Sequence, residues 1–155
     1  MKEIVTYYLS GKKYGVEVNW LQGIENYQES SAVSGMPDFL LGNIIVREQV
    51  VPVLDIKKKL ILPDVPISNE TKYLVFRTHH GNIAVIADGV SNIIQADGSD
   101  LQACPVLIHS DETSYVDFVV NHEKQLVLTI NPENLLTAEE WDAVDKMLSS
   151  MDEEK

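Results

Sequence analysis

The segment FLLGNIIVREQVVPVLDIKKKL, residues 39–60, is the most hydrophobic stretch of the chain and decides its fold. Two apolar runs, IIV and VVPVLD, flank the polar trio Arg47-Glu48-Gln49. Both runs are short and rich in β-branched residues, which is typical of strands that are buried on both faces. The polar trio is then the turn of a β-hairpin, because a turn keeps its side chains in water while the strands are buried. The segment therefore predicts a hairpin with Arg47 at its exposed tip.

Two residues mark the end of this hairpin. Pro52 has no N–H to donate, so its strand is expected to lie at a sheet edge or to leave that position unpaired. Asp55 is a residue type that caps helices, and it predicts a short helix over IKKKL, residues 56–60. The second strand of the hairpin should therefore pass almost directly into a helical turn.

The rest of the chain has the same pattern of short apolar runs separated by polar turns. The predicted strands are residues 3–9, 13–18, 72–77, 82–88 and 92–96, and a later hairpin of 115–121 and 124–131. A turn THHG joins the strands 72–77 and 82–88. These short strands indicate a mostly β fold.

Two further segments are predicted to be helical. Residues 19–24, NWLQGI, suggest one helical turn with Leu21 and Ile24 on the same face. At the other end of the chain, Thr137 and Glu140 form a capping box that predicts a helix of about residues 137–150. This helix should dock on the β core rather than stand free as a partner-binding helix. The apolar residues on its predicted buried face are Trp141, Val144, Leu148 and Met151.

A weak internal repeat divides the chain into two halves. VTYYLSGKKYGVEVNWLQGI, which starts at Val5, resembles LVFRTHHGNIAVIADGVSNI, which starts 69 residues later at Leu74. Gln49 and Val50 likewise correspond to residues 76 positions further on, Gln125 and Leu126. Two such halves predict a pair of small β-barrels packed together, since strands this short rarely stabilise so small a unit alone. The expected single domain covers 1–155, with subdomains at about 1–68 and 69–136.

Composition argues against several classes of function. The chain has 12 Lys+Arg and 24 Asp+Glu, and its formal net charge of -12 disfavours nucleic acid or an anionic membrane as the main partner. No run reaches the ~18 apolar residues of a membrane helix, and no secretory signal is visible. The protein is therefore expected to be cytoplasmic, without direct membrane insertion.

The sequence offers only weak candidates for a catalytic or metal site. The adjacent His79 and His80 lack the i, i+4 spacing of a helical zinc pair. The single cysteine, Cys104, could act as a nucleophile with a histidine, but its apolar neighbours favour a buried inert thiol. No phosphate-binding glycine loop or G-x-S-x-G motif occurs. We therefore expect neither an enzyme nor a bound cofactor or metal.

Three blocks of the sequence together match a known family pattern: Tyr14-Gly15-Val16, Leu21-Gln22-Gly23-Ile24 and GNIIVREQVVPVLDI, residues 42–56. They resemble the CheW family of bacterial chemotaxis coupling proteins. The resemblance covers about residues 3 to 136, and its strongest motif, G-x-x-N-L-R-G-x-x-x-P-x-x-D-L, falls on 42–56. It implies two packed, SH3-like five-stranded β-barrels and no enzymatic activity. It also implies an adaptor between chemoreceptor cytoplasmic tips and the regulatory domain of a CheA-type histidine kinase, with recruitment to membrane receptor arrays.

The same resemblance implies a protein-binding site around the hairpin tip. Arg47 matches the arginine that lies on the family's partner-binding surface, and a guanidinium on a rigid tip is a good recognition group. Trp20 starts the predicted helical turn, and it is either a core residue or a partly exposed hot spot. The predicted protein-binding residues are Arg47, Val46, Glu48, Ile45, Trp20 and Gly23.

Three positions depart from the family pattern at this surface. Ile45 stands where the family has asparagine, Glu48 where it has glycine, and Gly23 where it has a glutamate that often pairs with the arginine. Any carboxylate partner of Arg47 must therefore be another residue, with Glu17 and Glu25 as candidates. These departures leave two alternatives open: a diverged scaffold for another sensory pathway, such as pili or development, or a binding module with an unrelated ligand.

Overall fold

A computed structural model of the protein describes residues 2–30, 38–98, 101–103 and 116–153, in which short β-strands predominate. The strands are β1 (Lys2–Leu9), β2 (Lys12–Glu17), β3 (Leu21–Asn26), β4 (Leu40–Val46), β5 (Gln49–Leu54), β6 (Lys72–Thr78), β7 (Gly81–Ala87), β8 (Gly89–Ala96), β9 (Leu101–Ala103), β10 (Val116–His122) and β11 (Gln125–Ile130). The helices are α1 (Ile56–Leu60) and α2 (Ala138–Glu153), with single 3₁₀ turns at Val18–Trp20 and Pro132–Asn134. Cys104 and Tyr115 lie outside the described residues.

The strands form two sheets with the same internal order. Sheet 1 runs β8-β1-β2-β11-β10-β9, and sheet 2 runs β3-β6-β7-β5-β4. The orders coincide when β6, β7 and β8 are matched to β1, β2 and β3, and β10 and β11 to β4 and β5. The register agrees as well, because Gly15 pairs with Thr129 in sheet 1 where Ala84 pairs with Val53 in sheet 2. The weak sequence repeat is therefore a structural repeat.

Each sheet takes strands from both halves of the chain. In sheet 1, β1 pairs with β8 and β2 with β11, and in sheet 2, β3 pairs with β6 and β5 with β7. The predicted boundary near residue 68 therefore separates two halves of a repeat, not two sheets. The prediction of a mostly β protein with two five-stranded units and a C-terminal helix is confirmed, with β9 added at one edge. The strand pairs of the described residues leave both sheets open rather than closed into barrels.

Apolar side chains are buried on both faces of the sheets, as the unbroken hydrophobic runs predicted. Sheet 1 encloses Ile4, Ile94 and Val120, and sheet 2 encloses a second small cluster around Val53 and Tyr73. The largest cluster also includes residues of α2. This central cluster comprises Val5, Tyr7, Leu9, Tyr14, Val16, Leu40, Leu54, Ile56, Leu74, Phe76, Ile83, Val85, Ala87, Val116, Ile130, Leu135, Leu136, Trp141, Val144 and Met147.

The predicted helical turn over residues 19–24 is largely wrong. Helical geometry is limited to the 3₁₀ turn that ends at Trp20, and Leu21 already begins β3. Leu21 packs against the central cluster, whereas Ile24 is 44% exposed, because residues three apart in a strand point to opposite faces. Pairing with β6 overrides the local helical spacing here.

The structure tests the two predictions made for Pro52 and Asp55 at the end of β5. Since β5 lies between β7 and β4, the alternative that placed Pro52 in an edge strand is wrong. The ladder to β7 begins one residue later, at Val53. The predicted cap of α1 is confirmed, because the Asp55 side chain accepts a hydrogen bond from the Lys57 N–H at 3.1 Å.

A buried ion pair joins α1 to the second half of the chain. Lys57 Nζ lies 2.6 Å from Asp88 Oδ1, and the two side chains are only 6% and 11% exposed. The other carboxylate oxygen of Asp88 accepts a hydrogen bond from the Ser10 N–H at 2.7 Å. Asp88 therefore links α1 to the β1–β2 turn.

Helix α2 docks on the β core as predicted. Its capping box is confirmed by reciprocal bonds, from the Thr137 N–H to Glu140 Oε1 at 2.9 Å and from the Glu140 N–H to Thr137 Oγ1 at 3.1 Å. Trp141 and Met147 are buried in the central cluster, while Leu148 is half-buried. Met147 was not assigned to the buried face, and the side chain of Met151 lies outside what the structure describes.

Candidate functional site

The hairpin of β4 and β5 ends in a two-residue turn formed by Arg47 and Glu48. Val46 pairs with Gln49, so Gln49 begins β5 instead of belonging to the predicted three-residue turn. Arg47 has φ 50° and Glu48 has φ 68°, which is the left-handed backbone of a type I′ turn. That turn matches the twist of the two strands but usually carries Asn-Gly. The tip therefore presents two charged side chains on a tight two-residue turn.

Arg47 projects from the protein, and no carboxylate of the described residues forms an ion pair with it. It is exposed, and none of the ion pairs found among the described residues includes it. Of the two carboxylates considered as partners, Glu17 instead binds Lys2 Nζ at 3.2 Å. Within the described ranges, therefore, no buried ion pair fixes the turn through Arg47.

A shallow pit of about 30 Å³ lies between the tip and β3. Arg47 and Val46 line one side of it, and Gly23 and Glu25 line the other. A Cβ atom on Gly23 would lie 3.8 Å from Glu25 Oε1, so the Glu25 carboxylate occupies the space beside the glycine. The structure therefore brings Gly23 and Arg47 to the same pit, as the family resemblance implied, with the Glu25 carboxylate beside the glycine.

An apolar pair lies directly behind the charged tip. Ile45 pairs with Val50 across the hairpin, and these side chains are 61% and 37% exposed. Sequence reasoning identified Ile45 but missed Val50. A two-residue turn at Arg47 and Glu48 pairs Val46 with Gln49 and then Ile45 with Val50, so the turn length alone would have indicated Val50. Arginine is enriched at protein-binding hot spots, so the exposed Arg47 with its exposed aliphatic neighbours is a candidate contact surface.

The loop after β3 keeps β3 close to the hairpin. Gln28 Nε2 donates to the Ile45 carbonyl at 3.3 Å, and the Tyr73 hydroxyl donates to the Gln28 carbonyl at 2.6 Å. Burial, and secondarily the neighbouring Tyr27, raises the pKa of Tyr73 to about 12. The phenol is therefore a neutral donor at physiological pH, and it ties this loop to β6, while the Gln28 side chain ties the loop to β4.

Trp20 lies apart from the hairpin tip. It is half-buried at the end of the 3₁₀ turn and packs against the central cluster, and it does not line the pit. The structure therefore gathers Ile45, Val46, Arg47 and Gly23 with Glu48 at one end of sheet 2, and it leaves Trp20 outside this group.

Other kinds of site were also considered. Across the described ranges, no three His, Cys, Asp or Glu side chains are placed to hold a metal ion. In the same ranges, no helix has the length and hydrophobicity required to cross a bilayer. The feature that stands out is the charged tip with its apolar flank, which defines a β protein with a candidate protein-binding hairpin.

Comparison with known proteins identifies the family. The profile of the CheW-like domain matches residues 3–140, so the chain belongs to the CheW-like domain family. The chemotaxis protein CheW of Bacillus subtilis (strain 168) is 25% identical over 138 residues, which cover 89% of this chain and 88% of that protein. The chemotaxis protein CheW of Klebsiella aerogenes is 23% identical over 149 residues, covering 96% of this chain and 90% of that protein.

A solved structure shares the fold. The crystal structure of the scaffolding protein TtCheW from Thermoanaerobacter tengcongensis superposes with a TM-score of 0.82 at 19% sequence identity, covering 90% of this chain and 94% of that chain. The predicted CheW-like fold is therefore confirmed. Members of this family are scaffold or adaptor proteins rather than enzymes.

Proposed function

We propose that this protein is a non-enzymatic adaptor that couples chemoreceptors to a CheA-type histidine kinase in bacterial chemotaxis. In this role it acts in the cytoplasm and is recruited to membrane receptor arrays. Its partners are the regulatory domain of the kinase and the cytoplasmic tip of the receptor. The family membership and the names of the relatives support the proposal.

The observation that carries the proposal is the presentation of Arg47. Its guanidinium is exposed on a type I′ tip, engaged in no ion pair that the described residues show, and backed by Ile45 and Val50. An arginine fork binds a carboxylate in two parallel hydrogen bonds, and a partner would also cover the aliphatic pair. We propose Arg47, Val46, Glu48, Ile45 and Gly23 as one contact surface, with Trp20 as a separate contact.

Charge reversal at Arg47 tests this assignment. Arg47→Glu should change the free energy of unfolding by no more than about 0.5 kcal/mol, because the side chain is exposed. The same change should weaken binding to a reconstituted kinase–receptor complex by about 2 kcal/mol or more, because it removes the donor fork and adds repulsion. A matched control is Lys72→Glu, which makes the same charge change on β6, where Lys72 Nζ bonds Asn26 Oδ1 at 2.9 Å.

The two measurements separate the possible outcomes. Lost binding with an unchanged melt for Arg47→Glu, and normal binding for Lys72→Glu, supports the interface. A large fall in melting temperature would make Arg47 a structural residue. Unchanged binding would remove Arg47 from the contact surface.

A second candidate is a scaffold for another sensory branch, such as one for pili or development. The observation that favours it is the exposed Ile45, which stands at the tip where family members carry asparagine. An apolar side chain at this position selects a different partner surface from an amide. Pull-down from native lysate with wild-type protein and with Ile45→Asn tests this, since capture of a non-chemotaxis kinase that is lost in Ile45→Asn would favour the second candidate.

A further inference from the structure

The structural repeat creates two equivalent grooves, only one of which is covered by the described chain. The first, which we call the sheet-1 groove, lies between the β1–β2 turn and the start of β11. Its volume is about 360 Å³, and its walls include Tyr8, Lys12, Lys13, Leu126 and Leu128. The second, the sheet-2 groove, lies between the β6–β7 turn and the start of β5.

The two grooves occupy matching positions in the repeat. Moving Lys13 forward by 69 residues gives Asn82, which lines the sheet-2 groove. Moving Leu126 back by 76 residues gives Val50, which also lines it. The parallel strand pairs that form the two floors have the same register, so the backbone shapes correspond.

The chain's own C-terminal helix packs along the sheet-2 groove and forms one of its walls. Trp141, Val144 and Leu148 of α2 line it, and the Trp141 ring stacks on His80 with the ring centroids 4.6 Å apart. Pro52 on its floor is buried. A strand-and-turn groove of this shape therefore accepts an amphipathic helix.

The sheet-1 groove has no such cover among the described residues, and it leaves apolar side chains in water. Leu126 is 64% exposed and Tyr8 is 37% exposed. We propose that this groove docks an acidic amphipathic helix of another protein, in the way that the sheet-2 groove docks α2. This surface lies apart from the Arg47 tip and adds a contact beyond the proposed adaptor site.

Charge supports the choice of an acidic helix. Lys12 and Lys13 line the groove, and Lys124 lies on the adjoining β10–β11 turn next to Glu123. This local excess of cations belongs to a chain with a net charge of -12. An acidic helix is attracted to the lysines, whereas a basic helix would lose that attraction.

The helix α2 of a second copy is not the expected occupant. Moving α2 out of its own groove would expose Trp141 and Met147, which are 5% and 0% exposed in the folded chain. Exposing large side chains costs about 1.5–3 kcal/mol each, and the sheet-1 groove does not reproduce the His80 stacking partner. A helix from a different protein does not lose such contacts.

The sequence of α2 supplies a direct probe. A peptide of residues 137–153, bridged by an i, i+4 lactam because short helices are marginal in water, is added to the isotope-labelled full-length chain. Saturable binding that shifts the amide signals of Lys12, Lys13 and Leu126 is the expected result. A scrambled peptide of the same composition is expected not to bind.

Two double variants make the test specific. Lys12→Glu with Lys13→Glu should weaken peptide binding about tenfold or more. Lys58→Glu with Lys72→Glu makes the same change in net charge elsewhere and should leave binding within about twofold of wild type.

Several outcomes would overturn the proposal. These are equal binding of the scrambled peptide, absence of saturable binding, and shifts confined to Val50 and Trp141, which would show that the probe merely displaces α2. Dimerisation of the chain through Leu126 in the absence of peptide would identify a second copy as the occupant instead.

Discussion

Replacing Glu48 by glycine is expected to stabilise the protein. Glu48 has φ 68°, a left-handed backbone that costs an L-residue about 1–2 kcal/mol because Cβ crowds the following carbonyl. Glycine removes this cost but loses about 0.5–1 kcal/mol more conformational entropy on folding. The net gain should be about 0.5–1 kcal/mol in the free energy of unfolding. For a chain of this size that corresponds to a rise of about 1–4 °C in melting temperature.

The measurement is thermal and urea unfolding of wild type, Glu48→Gly and Glu48→Ala. Alanine keeps Cβ and therefore the strain, but it removes the same negative charge. A gain for glycine alone assigns the effect to the backbone. An equal gain for alanine would attribute it to relief of charge repulsion, and it would refute the strain argument.

The equivalent turn of the second half offers a matched control. Lys124 has φ 66° at the position that corresponds to Glu48, and it lies in the same two-residue turn geometry between β10 and β11. Lys124→Gly should therefore give a gain of similar size, about 0.5–1 kcal/mol. A gain at one turn without the other would show that side-chain contacts, rather than φ, decide the stability of these tips.

Four further predictions follow from the packing. Asp88→Asn should destabilise the fold by about 3 kcal/mol or more in urea unfolding, because it leaves Lys57 buried and charged; the double variant with Lys57→Met should recover much of the loss. Tyr7→Phe should raise the free energy of unfolding by about 1 kcal/mol, since its buried hydroxyl has no hydrogen-bond partner among the described residues; a loss of stability would indicate a partner. Adding the kinase–receptor complex should blue-shift tryptophan emission through Trp20, so Trp141→Phe should keep the shift; a shift carried only by Trp141 would contradict this. Fragments produced by dividing the chain after residue 68 should show no cooperative melting, because both sheets need strands from both fragments; sharp separate transitions would contradict this.

Most of the fold could be predicted because its strongest signals are local. The β-branched runs around Arg47 give the hairpin, and the reciprocal side-chain and backbone partners of Thr137 and Glu140 give the start of α2. The segment 19–24 failed because Leu21 and Ile24 have helical spacing, while their conformation is set by a strand more than forty residues away. Local propensity cannot report such long-range pairing.

The candidate site was only partly predictable. Arg47 could be placed at a tip from its polar neighbours, and Gly23 could be placed near it from the family resemblance. The position of Glu25 beside Gly23 depends on the alternation of side chains along β3, whose first four residues were predicted to be helical. The sheet-2 groove could not be predicted, because it depends on where α2 packs against the structural repeat. No single segment of the sequence determines that position.

The exchange of strands between the two halves also governs how the chain can fold. Tyr14 pairs with Leu128 and Ile4 with Ile94, so β1 and β2 gain their outer neighbours only after most of the sequence has been made. Contacts this distant along the chain raise the loop-closure cost and slow folding. During synthesis the β1–β2 hairpin would have both edges unpaired until β8 and β11 have been made. Unpaired strand edges are prone to aggregation. The topology that builds two matching sheets therefore leaves the first hairpin without its neighbouring strands for much of the synthesis of the chain.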